Sequence, residues 1–240
     1  MKKIILTSSI VLLLSGAFFV WRVIQYYTIP ETPRAEITII EGWSVAEVNE
    51  ALKEKGILTD GEIEDELEGY LFPDTYEFFL DSTVTVVKER FQENLGRQLE
   101  KIGIEARGEE LHKIIIMASL LEKEVQNLKE KRIASGVLWK RLENGVPLQV
   151  DATLCYIKNA EKCLPITASD KKIDSAYNTY LYRGLPPGPI GNPGADSILA
   201  AANPAVSPYW YYLSDQVSGE TIFAKTLDEH NQNIIKYLSE

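Results

Sequence analysis

Residues Leu111 to Val125, LHKIIIMASLLEKEV, hold the most apolar run outside the N-terminus and end it on two carboxylates. Glu122 and Glu124 lie just beyond Ile114, Ile115, Ile116, Met117, Leu120 and Leu121. The run predicts a core helix. A carboxyl held among apolar side chains loses its preference for the ionised form, which is how an enzyme keeps a proton donor loaded near neutral pH. The plainer alternative is that EKE is the solvated end of a core helix. On a helical wheel Leu111, Ile114, Ile115, Ala118, Leu121 and Val125 share one face, with Glu122 inside it and Glu124 at its flank beside Met117. Glu122 is therefore expected to be the more buried, and Glu124 the better placed to look into a cleft. Periodicity does not decide which of them does chemistry.

The segments around this helix predict more helices, then a change of texture. Thr83–Ile102 carries Val86, Val87, Phe91, Leu95 and Leu99 at helical spacing, and Lys131–Leu142 places Ile133, Val137, Leu138 and Leu142 on one face before Asn144-Gly145. Upstream, EITIIEG reads as a strand, and Ser44 with Glu47 forms a capping box for a helix that stops at Gly56. Asp60–Leu67 is acidic and reads as loop. GYLFPDTYEF, Gly69 to Phe78, groups aromatic residues around Pro73 and Asp74. It predicts a turn between strands, and its flat rings and carboxylate would also suit a sugar ring.

Downstream, PLQVDATLCY alternates apolar and polar positions and predicts a half-buried strand with Gln149, Asp151 and Thr153 on one side. YNTYLY runs into RGLPPGPIGNPGADS, which holds four prolines and four glycines. So stiff a loop is cheap to hold in place and lets a ligand approach its backbone, although a surface crossover would have the same composition. Ile198–Ala202 is a short helix, Tyr209–Leu213 and Thr221–Ala224 read as a hairpin, and Glu229–Ser239 as a closing amphipathic helix.

Composition narrows the function. With 35 acidic against 25 basic residues, no basic stripe and no Walker loop, nucleic acid is not an expected partner. Two histidines, His112 and His230, argue against a multi-histidine metal centre. At the N-terminus Lys2 and Lys3 precede Ile4–Trp21, 18 uncharged residues followed by Arg22, Tyr26 and Tyr27. That is enough to cross a bilayer with the N-terminus in the cytoplasm. A cleavable signal peptide is the competing reading, because Ser15-Gly16-Ala17 is a small-residue cluster. The apolar run continues past that cluster, which favours an uncleaved anchor. On either reading the remainder is exported. There Cys155 and Cys163 are placed to form a local disulfide, with two free thiols as the alternative.

MASLLEKEV, GVLWKRLENGVPLQVDATLCY, AYNTYLYRGLPPGPIGNPGADSILAAANPA, PYWYYL and a late His-Asn occur in the order and at the spacing of the YceG-like endolytic murein transglycosylases, which the chain resembles over about residues 35–240. EGYLFPDTYEF is similar to the segment that precedes these motifs in that family. The resemblance implies an α+β fold in which a membrane anchor (residues 1–27) and a linker (28–34) precede a shortened LysM-like α/β subdomain (35–80). A lysozyme-like helical and β catalytic domain (81–240) would follow.

The resemblance further implies a lytic transglycosylase of the inner membrane. It would cut the β-1,4 bond between N-acetylmuramic acid and N-acetylglucosamine in peptidoglycan without water or cofactor. Glu124 is implied as its one catalytic residue. Gln149, Asp151, Thr153, Asn178, Thr179 and Tyr180 would line the groove, with Tyr70 and Asp74 as further binding residues. Implied partners are glycan strands, the membrane and a peptidoglycan synthase. Two other functions fit the residues: a membrane-tethered glycan-binding scaffold without turnover, and a hydrolytic muramidase in which Asp151 or Asp74 faces Glu124.

Overall fold

The computed structural model describes residues 18–22, 33–159, 166–215 and 219–238. Contacts divide the chain into Met1–Arg34 and Ala35–Glu240. Residues 18–22 of the first unit are helical. The anchor expected over Ile4–Trp21 lies almost wholly outside the described residues. Among those described, no helix is long and apolar enough to cross a membrane.

From Arg34 onward the chain runs β1 (Arg34–Thr38), α1 (Val45–Glu54), β2 (Thr75–Phe79), α2 (Val84–Lys101), α3 (Gly108–Glu124) and α4 (Leu128–Glu143). It continues with α5 (Asp151–Ile157), α6 (Ala195–Ala202), β3 (Tyr211–Ser214), β4 (Thr221–Ala224) and α7 (Leu227–Leu238). This is a mixed α+β architecture with two separate two-stranded sheets, β1-β2 and β3-β4. The second is antiparallel, with Tyr212 opposite Phe223 and Leu213 opposite Ile222.

Two cores organise it. The first is built on β1, α1 and β2 from Ile37, Ile39, Val48, Leu52, Leu71, Phe78 and their neighbours. α1 begins on the capping box read from the sequence: the Glu47 backbone N–H donates to the Ser44 hydroxyl and the Ser44 N–H to the Glu47 carboxylate. α2 belongs to both cores. Val87 and Phe91 complete the first, while Leu95 and Leu99, two turns on, enter the second.

α3 is the axis of the second core. From Ile114 to Leu121 every residue is buried, so the helix is enclosed on all sides and not along one stripe. α4, α5 and α6 pack against it. Gly136 of α4 is where the chain after α6 crosses: a Cβ there would sit 2.0 Å from the Ala205 carbonyl oxygen.

Several local expectations change. Residues 147–156 do not form a strand; Val150 caps α5, which starts at Asp151. Alternation over so few residues cannot separate a strand from a seven-residue helix, and Val150, Thr153 and Leu154 are buried together at helical spacing. In the aromatic segment only Thr75–Phe79 is a strand, and a short 3-10 turn, Asp65–Leu67, interrupts the acidic loop. Val86 is exposed, and the buried face of α4 includes Lys131 and Arg141. Both cations are buried because protein oxygens receive them.

The Pro/Gly block is the clasp of the molecule. Asn192, fully buried, accepts the Leu71 N–H at 2.8 Å and donates its amide to the Trp43 carbonyl at 2.8 Å. Its backbone N–H donates to the same Trp43 carbonyl, and its carbonyl accepts the Gly42 N–H at 2.7 Å. Beside it Gly191 lies so near Gly42 that a Cβ would come 2.5 Å from the Gly42 carbonyl oxygen. Glu68, which accepts the Val45 N–H, is buried against this clasp, and burial pushes its carboxyl up to about 7.

Candidate active site

The three residues of EKE leave α3 in three directions. Glu122 turns inward and meets Lys131 of α4 at 2.9 Å, with side-chain exposures of 8% and 3%. Its second oxygen accepts the Gly194 N–H at 2.9 Å. Lys123 is exposed and lies beside Gly42 and Gly191. Glu41 extends the Glu122 cluster. It occupies the space a side chain at Gly194 would need, and burial and the charge of Glu122 raise its carboxyl above the ordinary value.

Glu124 is the last residue of α3, and the helix end is built to hold it. Val125 leaves with extended backbone at φ −139°, while the Ser214 hydroxyl of β3 donates to the Glu124 carbonyl at 2.8 Å. The residue as a whole is partly exposed, but protein encloses the carboxyl and desolvation dominates its proton affinity. That burial pushes it up to about 7; the charge of Asp151 adds to the rise, and the Ala152 N–H, donating at 3.3 Å, opposes it. Among the described residues no cation compensates it, so a proton is retained close to neutral pH.

Around Glu124 stands a wall of tyrosine. Tyr180 donates its hydroxyl to Asp151. Tyr212 lies where the charges of Glu124 and Asp151 both disfavour its ionisation, after burial as the main cause, so it stays a neutral hydroxyl. Arg141 braces this wall. Its Nε donates to the Trp210 carbonyl at 2.9 Å, its Nη1 to the Leu148 carbonyl at 2.8 Å, and its guanidinium lies 5.0 Å from the Tyr211 ring centre. Thus the start of α5 and β3, two segments far apart in sequence, are fixed to one buried cation.

The residues expected in the groove divide. Asp151 and Tyr180 lie beside Glu124, with the Asp151 side chain exposed. Gln149 is exposed two residues away and holds φ 55°, a left-handed conformation uncommon outside glycine, secured by its N–H on the Thr179 carbonyl at 3.1 Å. Thr153, Asn178 and Thr179 are buried, at 0%, 0% and 2% exposure. The Thr153 and Thr179 hydroxyls meet at 3.1 Å, Thr179 accepts the Val150 N–H at 2.9 Å, and Asn178 donates to the Lys171 and Ile173 carbonyls. Their polar atoms thus hold the backbone that carries Asp151 and Tyr180.

Tyr70 and Asp74 are elsewhere. The Tyr70 hydroxyl meets His112 Nδ1 at 2.7 Å and the two rings stack. His112 is twelve residues before Glu124 on α3, about 18 Å along the helix axis. Asp74 receives the Asn94 amide of α2 at 3.0 Å. The surface hollow at Thr59–Gly61 and Asp81–Val84 contains none of the expected residues.

Arg141 and Tyr212 were not singled out in the sequence. A wheel drawn through Lys131, Ala134, Leu138 and Arg141 would have put two cations on the buried face of α4. For Tyr212 no local signal separates it from its neighbours in YWYYL. Cys155 is disulfide-bonded, and Cys163 lies outside the described residues. No cluster of His, Cys, Asp and Glu fit for a metal ion occurs among the described residues.

The sequence profile of the YceG-like family matches residues 15–236. The chain belongs to the YceG-like family. Within it, a Bacillus subtilis protein named endolytic murein transglycosylase is 39% identical over 176 residues, covering 72% of this chain and 48% of that protein. A Streptococcus pneumoniae protein of the same name is 29% identical over 183 residues, covering 72% of this chain and 32% of the relative. The chain thus spans about half the length, or less, of the curated relatives it matches. The crystal structure of a YceG-like protein from Listeria monocytogenes superposes with a TM-score of 0.70 at 30% identity, covering 84% of this chain and 76% of that one.

Proposed function

We propose that this YceG-like chain is an endolytic peptidoglycan transglycosylase with Glu124 as its single acid/base. It would cleave the bond between N-acetylmuramic acid and N-acetylglucosamine and leave 1,6-anhydro ends, limiting the length of nascent strands. The observation that carries the reading is the Glu124 carboxyl: pushed up to about 7 by burial, with no cation among the described charges acting on it, beside the exposed Asp151. The names of the bacillary and streptococcal relatives support it. A non-catalytic scaffold predicts an exposed Glu124 of ordinary pKa, whereas burial raises this carboxyl.

In the first half-reaction protonated Glu124 gives its proton to the glycosidic oxygen as the bond to C1 breaks. The resulting carboxylate takes the proton from the C6 hydroxyl of the same muramic acid, whose oxygen closes on C1. Glu124 ends as it began, and the nucleophile belongs to the substrate. A second carboxylate is not required, in contrast to most glycosidases. Asp151, close to Glu124 and bonded by Tyr180, favours one rival, a hydrolytic muramidase with Asp151 as base.

Mass spectrometry of fragments from the purified chain and peptidoglycan tests the choice. Anhydro ends, one water lighter than reducing ends, are expected. Reducing ends would overturn the transglycosylase reading.

The apolar run Ile4–Trp21 after Lys2 and Lys3 supports an inner-membrane tether with the catalytic part outside the cytoplasm. The β1-α1-β2 unit, with its own core, supports a LysM-like module leading into the catalytic part. A peptidoglycan synthase is the partner suited to a tethered enzyme acting on new strands.

A further inference from the structure

The turn that precedes the Tyr180 wall carries cations in a strongly acidic chain. It is built with care. Asp170 accepts the Thr167 N–H and hydroxyl and pairs with Lys158 at 3.0 Å. Asn178, fully buried, holds the Lys171 and Ile173 carbonyls with one amide group, and its Oδ1 accepts the Tyr180 N–H at 3.0 Å. One buried side chain therefore fixes Lys171 and Tyr180 to each other. The Lys171 ammonium stands 4.5 Å from the Tyr180 ring centre, and the hydroxyl of that ring is on Asp151.

The carboxylates near this turn are already engaged: Asp170 by Lys158, Asp174 by the Tyr182 hydroxyl at 2.6 Å, Asp151 by Tyr180. Lys171 makes no salt bridge among the described residues, and Lys172 and Arg183, near it and Tyr180 in sequence, are exposed. A chain of net charge −10 repels an anionic polymer over most of its surface. The Lys171 ammonium, over the ring whose hydroxyl bonds Asp151, is what an anionic substituent would meet on this side of the site.

We infer that Lys171 is a substrate-binding residue that receives a carboxylate borne on the lactyl arm of the muramic acid next to the cleaved bond. The inference rests on the proposed reaction and names the part of the substrate that the Tyr180 side of the site recognises. Two carboxylates share this chemistry: that of the peptide stem, and that of the lactyl group itself once the stem is removed. The Tyr180 ring presents the ammonium, and no bond to Lys171 changes during the reaction.

Two measurements test it with the full chain. In steady state, Lys171→Gln is expected to raise KM for stem-bearing strands about fivefold with little change in kcat, and Lys171→Arg to restore it. Added salt is expected to raise KM for the unsubstituted chain and much less for Lys171→Gln. If Lys171→Gln raises KM only on stem-bearing strands, the stem carboxylate is the ligand; if it does so equally on amidase-stripped strands, the lactyl carboxylate is. Unchanged KM on both substrates overturns the inference.

The second measurement is independent of turnover. Binding of stem-bearing and stripped strands is compared for Glu124→Gln with and without Lys171→Gln. A loss of affinity on removing Lys171 supports the inference even where product analysis has refuted the transglycosylase reading. Equal affinity refutes the inference while leaving that reading intact.

Discussion

Glu122 and Glu124 stand two residues apart at the end of one helix and live in opposite environments. Glu122 is buried with a full complement: Lys131 on one oxygen and the Gly194 N–H on the other. Glu124 has one N–H at 3.3 Å, an acidic neighbour in Asp151 and a wall of tyrosine. The difference teaches that depth alone does not make a proton donor. Glu122 is matched by a cation and an N–H, whereas Glu124, enclosed with an acidic neighbour, is driven toward holding its proton. Glu68 makes the same point from another side, since burial pushes it too up to about 7. It holds the clasp between Val45 and Asn192.

The sharpest way to break the contrast is to neutralise each carboxylate in turn. Glu124→Gln is expected to lower turnover by about 10²–10⁴-fold, the range a positioned acid/base contributes, in a protein that still folds. Glu122→Gln is expected to retain Glu124 chemistry in whatever fraction folds. A cut rate that survives in Glu124→Gln and disappears in folded Glu122→Gln would exchange the two roles.

Lys131→Met attacks the paired side alone. It leaves Glu122 buried without its cation and should lower unfolding free energy by about 3–5 kcal/mol in denaturant titration. A change below about 1 kcal/mol would mean that the pair is bystander charge.

The smallest expected effect is read in the pH dependence of stability. The Glu124 carboxyl binds its proton more tightly folded, at about 7, than unfolded, near 4.5. Its contribution is therefore fully present below about 4.5 and is lost as pH rises through 7. Glu124→Gln should consequently be more stable than the parent at pH 8, by up to about 3 kcal/mol, with the advantage fading by pH 4.5. The same carboxyl predicts that kcat/KM falls as pH rises above about 7, since the free enzyme must carry the proton it donates. Identical stability profiles for the two proteins would show that Glu124 is ordinary.

Much of this was legible locally. The capping box of α1, the span of α2 and the β3-β4 hairpin depend on neighbours within a few residues, where spacing and caps carry information. Residues 147–156 were misread because seven helical residues are too few to establish a period, and what places them is the Thr179 hydroxyl on the Val150 N–H. The sequence around Tyr70 and Asp74 shows aromatic residues beside a turn, but not what holds them. Their partners, His112 and Asn94, are 42 and 20 residues away and invisible to any local pattern.

LHKIIIMASLLEKEV by itself determined that a core helix ends on two carboxylates, because apolar density and periodicity are properties of neighbouring residues. Periodicity expects Glu122 inside and Glu124 at the flank, but both residues are partly exposed and protein encloses the Glu124 carboxyl as well. Only the tertiary structure decided their chemistry. A carboxyl's proton affinity depends on which charges, donors and apolar atoms are brought to it, and here those come from Lys131, Gly194, Ala152 and Tyr212, each from a different part of the chain.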